Sequence, residues 1–259
     1  MKMKLIIFAV AVYMSVTDFY AQEFKISADN SKDGKLSLVN FMGDLPIEGY
    51  NGKEIIVTST SEPVTVPDRA KGLKPVFAAG YDNTGIGLSV EKNGNNITLT
   101  CLLPITKRGE YKIRVPENMA VRYESPCERA GDITVQNMSN EIEVKTCQSI
   151  KLKNVSGPVV LSTIGGDVEV VFSEGVTPKP CSISSIGGEV DVTLPAKTGL
   201  DLEIKSIGGN IYSDFDFPQT QEKQLKQVGG NNIKHKLNGG GIEFSLMTVS
   251  GNIYLRKGK

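Results

Sequence analysis

A short repeated motif constrains this chain more than any other feature of its sequence. An aliphatic residue followed by two glycines recurs in its C-terminal half, at steps of 22, 21, 21 and 21 residues. The copies begin at Ile164, Ile186, Ile207 and Val228, and a fifth begins at Val249 with Ser250 in place of the first glycine. A fixed period of this length is typical of stacked structural units that cannot bury their apolar faces alone. The motif therefore predicts a repeat architecture.

Each repeat contains two strand-like pieces in which apolar and polar residues alternate. One follows the glycines, as in Val168-Glu169-Val170, and the other precedes the next pair, as in Leu200-Asp201-Leu202. Upstream, Ile133, Ile142, Ile150, Val159 and Val168 are spaced by eight or nine residues. We therefore predict an all-β fold, a parallel β-solenoid with rungs of about 18 to 21 residues whose coils stack on their chain neighbours. At the corners, the glycines fit a positive φ or a close backbone approach.

The preceding part of the chain is less regular, but it also alternates with a period of two. Residues 86–90 and 97–103 are predicted to form an edge hairpin that turns at Asn93-Gly94. Because no linker-like stretch interrupts the chain, we predict one domain over residues 22–259. Within it, residues 22–128 form irregular rungs and the hairpin, and residues 129–259 form the regular repeats.

Residues 1–21 have the pattern of a cleaved signal peptide. Lys2 and Lys4 precede an apolar stretch over 5–16, which is too short to span a bilayer, and cleavage is predicted after Ala21. The absence of cysteine near this junction argues against a lipoprotein. We therefore expect a mature protein in the periplasm, on the cell surface or secreted, with no transmembrane segment after signal cleavage.

Charge and cysteine content narrow the chemistry further. The 29 basic and 29 acidic residues balance, so no basic surface for nucleic acid is predicted, and no cofactor motif is present.

Cys101 and Cys181 fall in alternating apolar runs and are predicted to be buried. Cys127 and Cys147 fall in turns 20 residues apart, which is close to one rung. An exported protein can form a disulfide there, but the spacing leaves two free thiols equally open.

The sequence predicts no catalytic residue and no metal site. Outward carboxylates spaced by two residues would lie about 6.5 to 7 Å apart, near the separation in inverting glycosidases. They recur in four places, whereas a catalytic pair would be singular, so a solvated face is the simpler interpretation. The single histidine, His235, is flanked by lysines and has no nucleophile motif near it. The four pairs are Glu141 with Glu143, Asp167 with Glu169, Glu189 with Asp191, and Asp201 with Glu203.

Towards the C-terminus the outward positions change from acidic to amide and aromatic. Asn210, Tyr212, Asn252 and Tyr254 would form an exposed strip suited to a glycan or a protein. The alternative is a structural role, in which stacked asparagines stabilise the turns and tyrosines shield sheet edges.

Three segments, Gly131–Val135, Val155–Val170 and Gly239–Leu255, resemble the DUF4097 β-strand-repeat family, and the residues 40–54 and 82–88 resemble its Bacteroidetes members. That family is described as "putative adhesins". The resemblance implies a solenoid of β-strands. Together with the signal peptide and the absence of a catalytic constellation, it leads us to predict an exported, non-catalytic cell-envelope protein, an adhesin or interaction protein whose partner would be a glycan or an envelope protein. Two alternatives stay open: a polysaccharide-active β-helix enzyme, and a periplasmic partner-binding component of envelope sensing.

Overall fold

The computed structural model describes residues 21–60, 67–73, 76–106, 109–176, 179–217 and 231–258. Within these ranges the chain forms two ten-stranded sheets, which we call sheet A and sheet B, and most neighbouring strands in them are parallel. Helical structure in the same ranges is limited to two single 3-10 turns, Ser31–Asp33 and Asp68–Ala70. The all-β prediction is therefore confirmed.

Strand numbers follow the chain, whereas the order of the strands across each sheet differs from the chain order. Across sheet A the strands are β1 (Gln22–Ser27), β4 (Glu54–Ser59), β7 (Tyr111–Pro116), β3 (Gly43–Tyr50), β9 (Ala130–Met138), β11 (Ile150–Val155), β13 (Val168–Phe172), β15 (Val190–Leu194), β20 (Ile253–Lys257) and β17 (Ile211–Ser213). Across sheet B they are β18 (Asn231–Leu237), β16 (Leu200–Ser206), β19 (Ile242–Thr248), β14 (Cys181–Ser185), β12 (Val159–Thr163), β10 (Ile142–Thr146), β8 (Ala120–Glu124), β2 (Lys35–Val39), β6 (Asn96–Cys101) and β5 (Leu88–Asn93).

From β8 to β15 the chain alternates between the sheets, and each strand pairs with the strand two further on. In sheet A, Ile133 pairs with Ile150 and Ile150 with Val168, while in sheet B, Ile142 pairs with Val159. The apolar residues that set the predicted period are thus neighbours in the stack. Their side chains point inward and join one buried cluster that contains residues of both sheets. Alternation along each strand leaves the polar residues on the outer faces.

At both ends of the stack, the strand order departs from the predicted stacking of each coil on its chain neighbour. The last coil, β19 and β20, lies between β14/β15 and β16/β17. At the other end, β2 and β3 lie between β6/β7 and β8/β9. The prediction of consecutive stacking is therefore wrong in these two places. An inserted coil forms backbone hydrogen bonds along both edges, whereas a coil at the end of a stack leaves one edge open.

The repeat copy at Val228 also departs from the prediction. Val228 and its two glycines lie outside the described residues, and the strand that follows them, β18, is not a sheet A rung. It runs antiparallel to β16, with Leu237 opposite Leu200 and Asn231 opposite Ser206. This strand covers the edge of sheet B, and its outward Lys234 and Lys236 discourage further pairing.

The opposite edge of sheet B ends in the predicted hairpin. Strands β5 and β6 pair antiparallel with Asn93 opposite Asn96, and Gly94 has a φ of +59° in the turn.

The predicted signal peptide falls outside the described residues apart from Ala21. In the ranges that the structure describes, no helix has the length and apolar character needed to cross a membrane.

Candidate functional site

The repeated motif occupies the corner where the chain leaves a sheet B strand and enters a sheet A strand. The second glycines stack in a column, and each lies against the backbone of the next corner. A Cβ on Gly188 would lie 2.1 Å from the carbonyl oxygen of Gly166, and one on Gly251 would lie 2.1 Å from that of Gly188. At the first glycine the space is wider, 3.2 Å at Gly187, and Ser250 fills that position in the last copy. Close approach, not a positive φ, therefore explains the second glycine of each described pair.

A buried hydroxyl group at each corner was missed by the sequence interpretation. Ser185 Oγ donates to the carbonyl of Gly166 at 2.9 Å and accepts the Gly188 N–H at 2.9 Å. Thr248 Oγ1 likewise donates to the Gly188 carbonyl at 2.9 Å and accepts the Gly251 N–H at 3.2 Å. Each hydroxyl thus ties its own corner to the adjacent one. The signal was a Ser or Thr three residues before every second glycine of a described copy: Thr163, Ser185, Ser206 and Thr248.

A disulfide occupies the same corner at the boundary with the irregular part. Cys127 and Cys147 are joined, with their Cα atoms 5.2 Å apart. The Gly165 N–H donates to the Cys147 carbonyl at 3.2 Å, just as the Gly187 N–H donates to the Ile164 carbonyl at 2.8 Å. Cys147 therefore stands in the same column as the aliphatic residue of the motif.

The other two cysteines are free and buried, as the sequence predicted. Burial raises the pKa of both the Cys101 and the Cys181 thiols. A thiol that resists ionisation is a poor nucleophile, so neither cysteine is a candidate for covalent catalysis.

In the copies of the motif that the structure describes, the aliphatic residue points outward. Ile164, Ile186 and Ile207 are 53%, 52% and 46% exposed. Strand alternation explains this, because the preceding hydroxyl residue takes the inward position. We call the resulting row the corner ridge: the Cys127–Cys147 disulfide, Ile164, Ile186, Val249 and Ile207, in their order along the stack. At a strand spacing of about 4.8 Å, the ridge is about 19 Å long from Cys147 to Ile207.

Beside the ridge, three neighbouring strands of sheet B present an outer surface without charge over two rows. Val160 and Met247 are the large apolar residues there, 46% and 37% exposed. The strands on either side carry charges in the same rows, Glu143 and Lys145 on β10, and Glu203 and Lys205 on β16. We call this surface the uncharged face: Val160 and Ser162 of β12, Ser182 and Ser184 of β14, and Ser245 and Met247 of β19. Serines lie between these two separated apolar side chains, so a partner can cover this surface without desolvating an ion.

The outer face of sheet A, like the strands that flank the uncharged face on sheet B, is crossed by ion pairs at several points. Lys112 lies 3.3 Å from Glu48, Lys151 pairs with Glu169, and Arg256 lies 2.7 Å from Asp191. Such pairs are satisfied within the protein and offer little to a partner.

The four residues of the predicted Asn/Tyr strip come together at the end of sheet A. The Tyr212 and Tyr254 rings stack with centroids 5.4 Å apart. The Asn252 amide and the Tyr254 hydroxyl both donate to the Glu189 carboxylate, at 3.0 and 3.2 Å, and Asn252 Oδ1 accepts the Asn210 N–H at 2.9 Å. These contacts agree with the structural role, because the polar groups are used within the cluster. Binding of a glycan or a protein by this strip stays a prediction. Tyr212, on the outermost strand of sheet A, is half exposed.

One predicted carboxylate pair lines a groove of about 790 Å³ that runs across β18, β16, β19 and β14 and reaches Val160 of the uncharged face on β12. Asp201 and Glu203 are paired there with lysines of β18, at 3.9 and 3.1 Å. His235 stands opposite the inward Leu202, and its ring contacts Phe217, so strand alternation directs it away from the carboxylates. Within the described ranges, no group of three or more His, Cys, Asp or Glu side chains is arranged to hold a metal ion.

No protein-family model matches the chain, and no curated protein matches it either. Two solved structures are similar. One is a "putative cell adhesion protein" from Clostridium sporogenes, with 15% identity, a TM-score of 0.45, and coverage of 92% of this chain and 100% of that chain. The other is a "putative adhesin" from Bacteroides fragilis, with 11% identity, a TM-score of 0.37, and coverage of 92% and 96%. At these scores neither structure supports a functional assignment, which depends on the geometry of this chain.

Proposed function

We propose that this protein is an exported, non-catalytic β-solenoid that acts as an interaction protein of the cell envelope, with the uncharged face of sheet B as its contact surface. The observation that carries the proposal is the contrast between three strands of sheet B and the rest of the outer surface. Ion pairs cross sheet A and the flanking strands of sheet B, whereas β12, β14 and β19 present serines, Val160 and Met247 in the same rows. Charged residues occupy the same rows on β10 and β16, so the uncharged rows on β12, β14 and β19 form a distinct surface that a partner of matching chemistry can cover.

The alternation of strands between the sheets, with in-register parallel pairing across rungs of 17 to 22 residues, supports the solenoid. Membership of the DUF4097 family is proposed on the residue pattern of the repeats. The signal-peptide pattern supports a location in the periplasm, at the cell surface or outside the cell.

The chemistry of the face favours an uncharged protein surface as the partner. Ser162, Ser182 and Ser245 can donate and accept hydrogen bonds, and the neighbouring aliphatic groups bury area without demanding a counter-charge. A polyanion would find no basic patch on these strands. An adhesin that contacts an envelope protein and a partner-binding component of envelope sensing both fit this surface.

The enzyme alternative has one place in which to be tested, the groove beside Asp201 and Glu203. Both carboxylates are ion-paired and the histidine faces the other way, so we propose no catalysis there. Incubation of residues 22–259 with bacterial polysaccharides should give no reducing-end products. Product formation that is lost in Asp201→Asn and Glu203→Gln variants would replace the interaction role with hydrolysis.

The interaction role is tested with residues 22–259, disulfide intact, on a bacterial glycan array and on an immobilised envelope-protein fraction. We expect saturable binding to the protein fraction that weakens by about tenfold or more in a Ser162→Arg/Ser182→Arg variant. A matched Gln136→Arg/Thr193→Arg variant, which adds the same charge to sheet A, should bind like the wild type. Equal binding by all three proteins would exclude the uncharged face, and glycan binding alone would change the partner class.

A further inference from the structure

We propose that the corner ridge is a seam through which two copies of this chain associate side by side, with their stacks parallel and a two-fold axis along the stack. This inference rests on the proposed interaction role, since it names the occupant of the surface beside the uncharged face. The ridge combines an exposed disulfide with Ile164, Ile186, Val249 and Ile207, four aliphatic side chains in one line.

The spacing of the ridge suits a second ridge. Its side chains repeat at the strand spacing of about 4.8 Å, because hydrogen bonds join each corner to the next, as between Ser250 and Ile186 at 3.0 Å. The corner ridge of a second copy has the same spacing, so its side chains stay in register along the whole contact. A helix laid along the ridge advances about 5.4 Å per turn and would lose register by about 2 Å over four rungs. A symmetric pair also makes the surface its own complement, as an isologous interface requires.

The rows that flank the ridge select the parallel arrangement. In a parallel pair, the sheet B row of one copy faces the sheet A row of the other at the same height. Ser162 then meets Asp167 of the second copy, so a hydroxyl donor faces a carboxylate, and Ser184 meets its Glu189 without a clash of like charges. In register, the sheet B row is Lys145, Ser162, Ser184, Met247 and Lys205, and the sheet A row is Ser149, Asp167, Glu189, Asn252 and Asn210.

An antiparallel pair would bring like charges together. Each row would then face a reversed copy of itself, with Lys145 beside Lys205 of the second copy and Glu189 beside the other Glu189. Juxtaposed like charges weaken association. The carboxylates of Asp167 and Glu189 beside the ridge disfavour an anionic membrane as its occupant for the same reason.

The seam is tested by light scattering and sedimentation of residues 22–259 over a concentration series. We expect a monomer–dimer equilibrium that shifts at least about tenfold towards monomer in an Ile164→Lys/Ile186→Lys variant. Both side chains are half exposed, so the variant should fold, and circular dichroism and the unfolding midpoint check this. The matched control is Val76→Lys, a 92% exposed position away from the ridge, which should dimerise like the wild type.

The orientation is tested with single cysteine variants and a short bismaleimide cross-linker. In the parallel pair, Ile164→Cys and Ile207→Cys each meet their own counterpart, so both should give covalent dimers. Cross-linking by Ile186→Cys alone, at the middle of the ridge, would indicate the antiparallel pair and overturn the proposal. A wild-type protein that stays monomeric up to millimolar concentration, with its face-dependent binding intact, would overturn the seam but not the interaction role. A dimer that binds neither glycans nor envelope proteins would overturn the interaction role but not the seam.

Discussion

The two parts of this molecule stack their rungs by different means. In residues 22–128, the contacts between rungs differ from place to place: the Phe41 and Tyr111 rings meet edge to face at 5.4 Å, and the Tyr111 hydroxyl donates to the Ile86 carbonyl at 2.7 Å. In the repeats, one set of corner contacts recurs from rung to rung, made by the second glycines and the buried hydroxyls. The Cys127–Cys147 disulfide stands where the two parts meet. The difference teaches that the regular part repeats one backbone contact, whereas the irregular part depends on contacts that are particular to each side chain.

The largest loss of stability is expected at the second glycine of a pair, and the first glycine of the same pair serves as its control. Gly188→Ala should destabilise the protein by about 3 kcal/mol, because its Cβ would overlap the Gly166 carbonyl and force the rungs apart. Gly187→Ala is the matched control and should cost less than about 1 kcal/mol, since its Cβ would have 3.2 Å of clearance and Ser250 already occupies the equivalent site. Urea unfolding at neutral pH measures both. Equal losses would mean that the column does not depend on close approach.

The next effect breaks the link between the two parts. A Cys127→Ser/Cys147→Ser variant should lose about 3 kcal/mol, because the bond closes a loop of 20 residues in the unfolded chain. The free energy of unfolding under non-reducing conditions gives the value. Cys181→Ser, which removes a free thiol, is the control for the change of residue type. An unchanged stability would show that the boundary is held by packing alone.

A smaller loss of stability is expected when one of the buried corner hydroxyls is removed. Ser185→Ala removes both a donor to the Gly166 carbonyl and an acceptor for the Gly188 N–H, which are buried, so we expect a loss of about 2 kcal/mol. Ser182→Ala, at an exposed position on the outer face of the same strand, should change stability by less than about 0.5 kcal/mol. Hydrogen exchange at the Gly188 amide provides a local readout. If that amide stays protected in Ser185→Ala, the hydroxyl is not the contact that holds the corner.

The smallest expected effect concerns the buried tyrosines of residues 22–128. Burial raises the pKa of the Tyr123 phenol above its ordinary value of about 10, so the unfolded chain releases that proton first. Stability should therefore fall as the pH rises above about 10, by about 1 kcal/mol at pH 11 for such a phenol. Burial raises the pKa of Tyr111 in the same direction.

Urea unfolding between pH 8 and 11 measures this loss, and Tyr123→Phe should make the profile shallower. Amide exchange in β8 should rise with pH earlier than in β13 of the repeats. A pH profile that is identical in Tyr123→Phe would mean that its ionisation does not contribute.

Much of the fold could be predicted because its signals are local. The spacing of Ile133, Ile150 and Val168 set the pairing in sheet A, and Asn93-Gly94 marked the hairpin. The candidate contact surface was harder to find. The usual link between periodic apolar residues and burial would place Ile186 inside, but Ser185 takes the inward position beside it and Ile186 is half exposed. A polar residue inside and an aliphatic one outside reverses the pattern that sequence interpretation uses.

The sequence by itself determined the period, the strand pattern and the need for glycine at the corners, because these depend on residues close together in the chain. Only the tertiary structure decided the order of the coils. β16 and β19 have equivalent inward residues, so either could have stacked on β14. The structure places β19 between them, since there its backbone is hydrogen-bonded on both edges. A repeat makes its own units interchangeable, so which neighbour each unit meets is a property of the folded molecule.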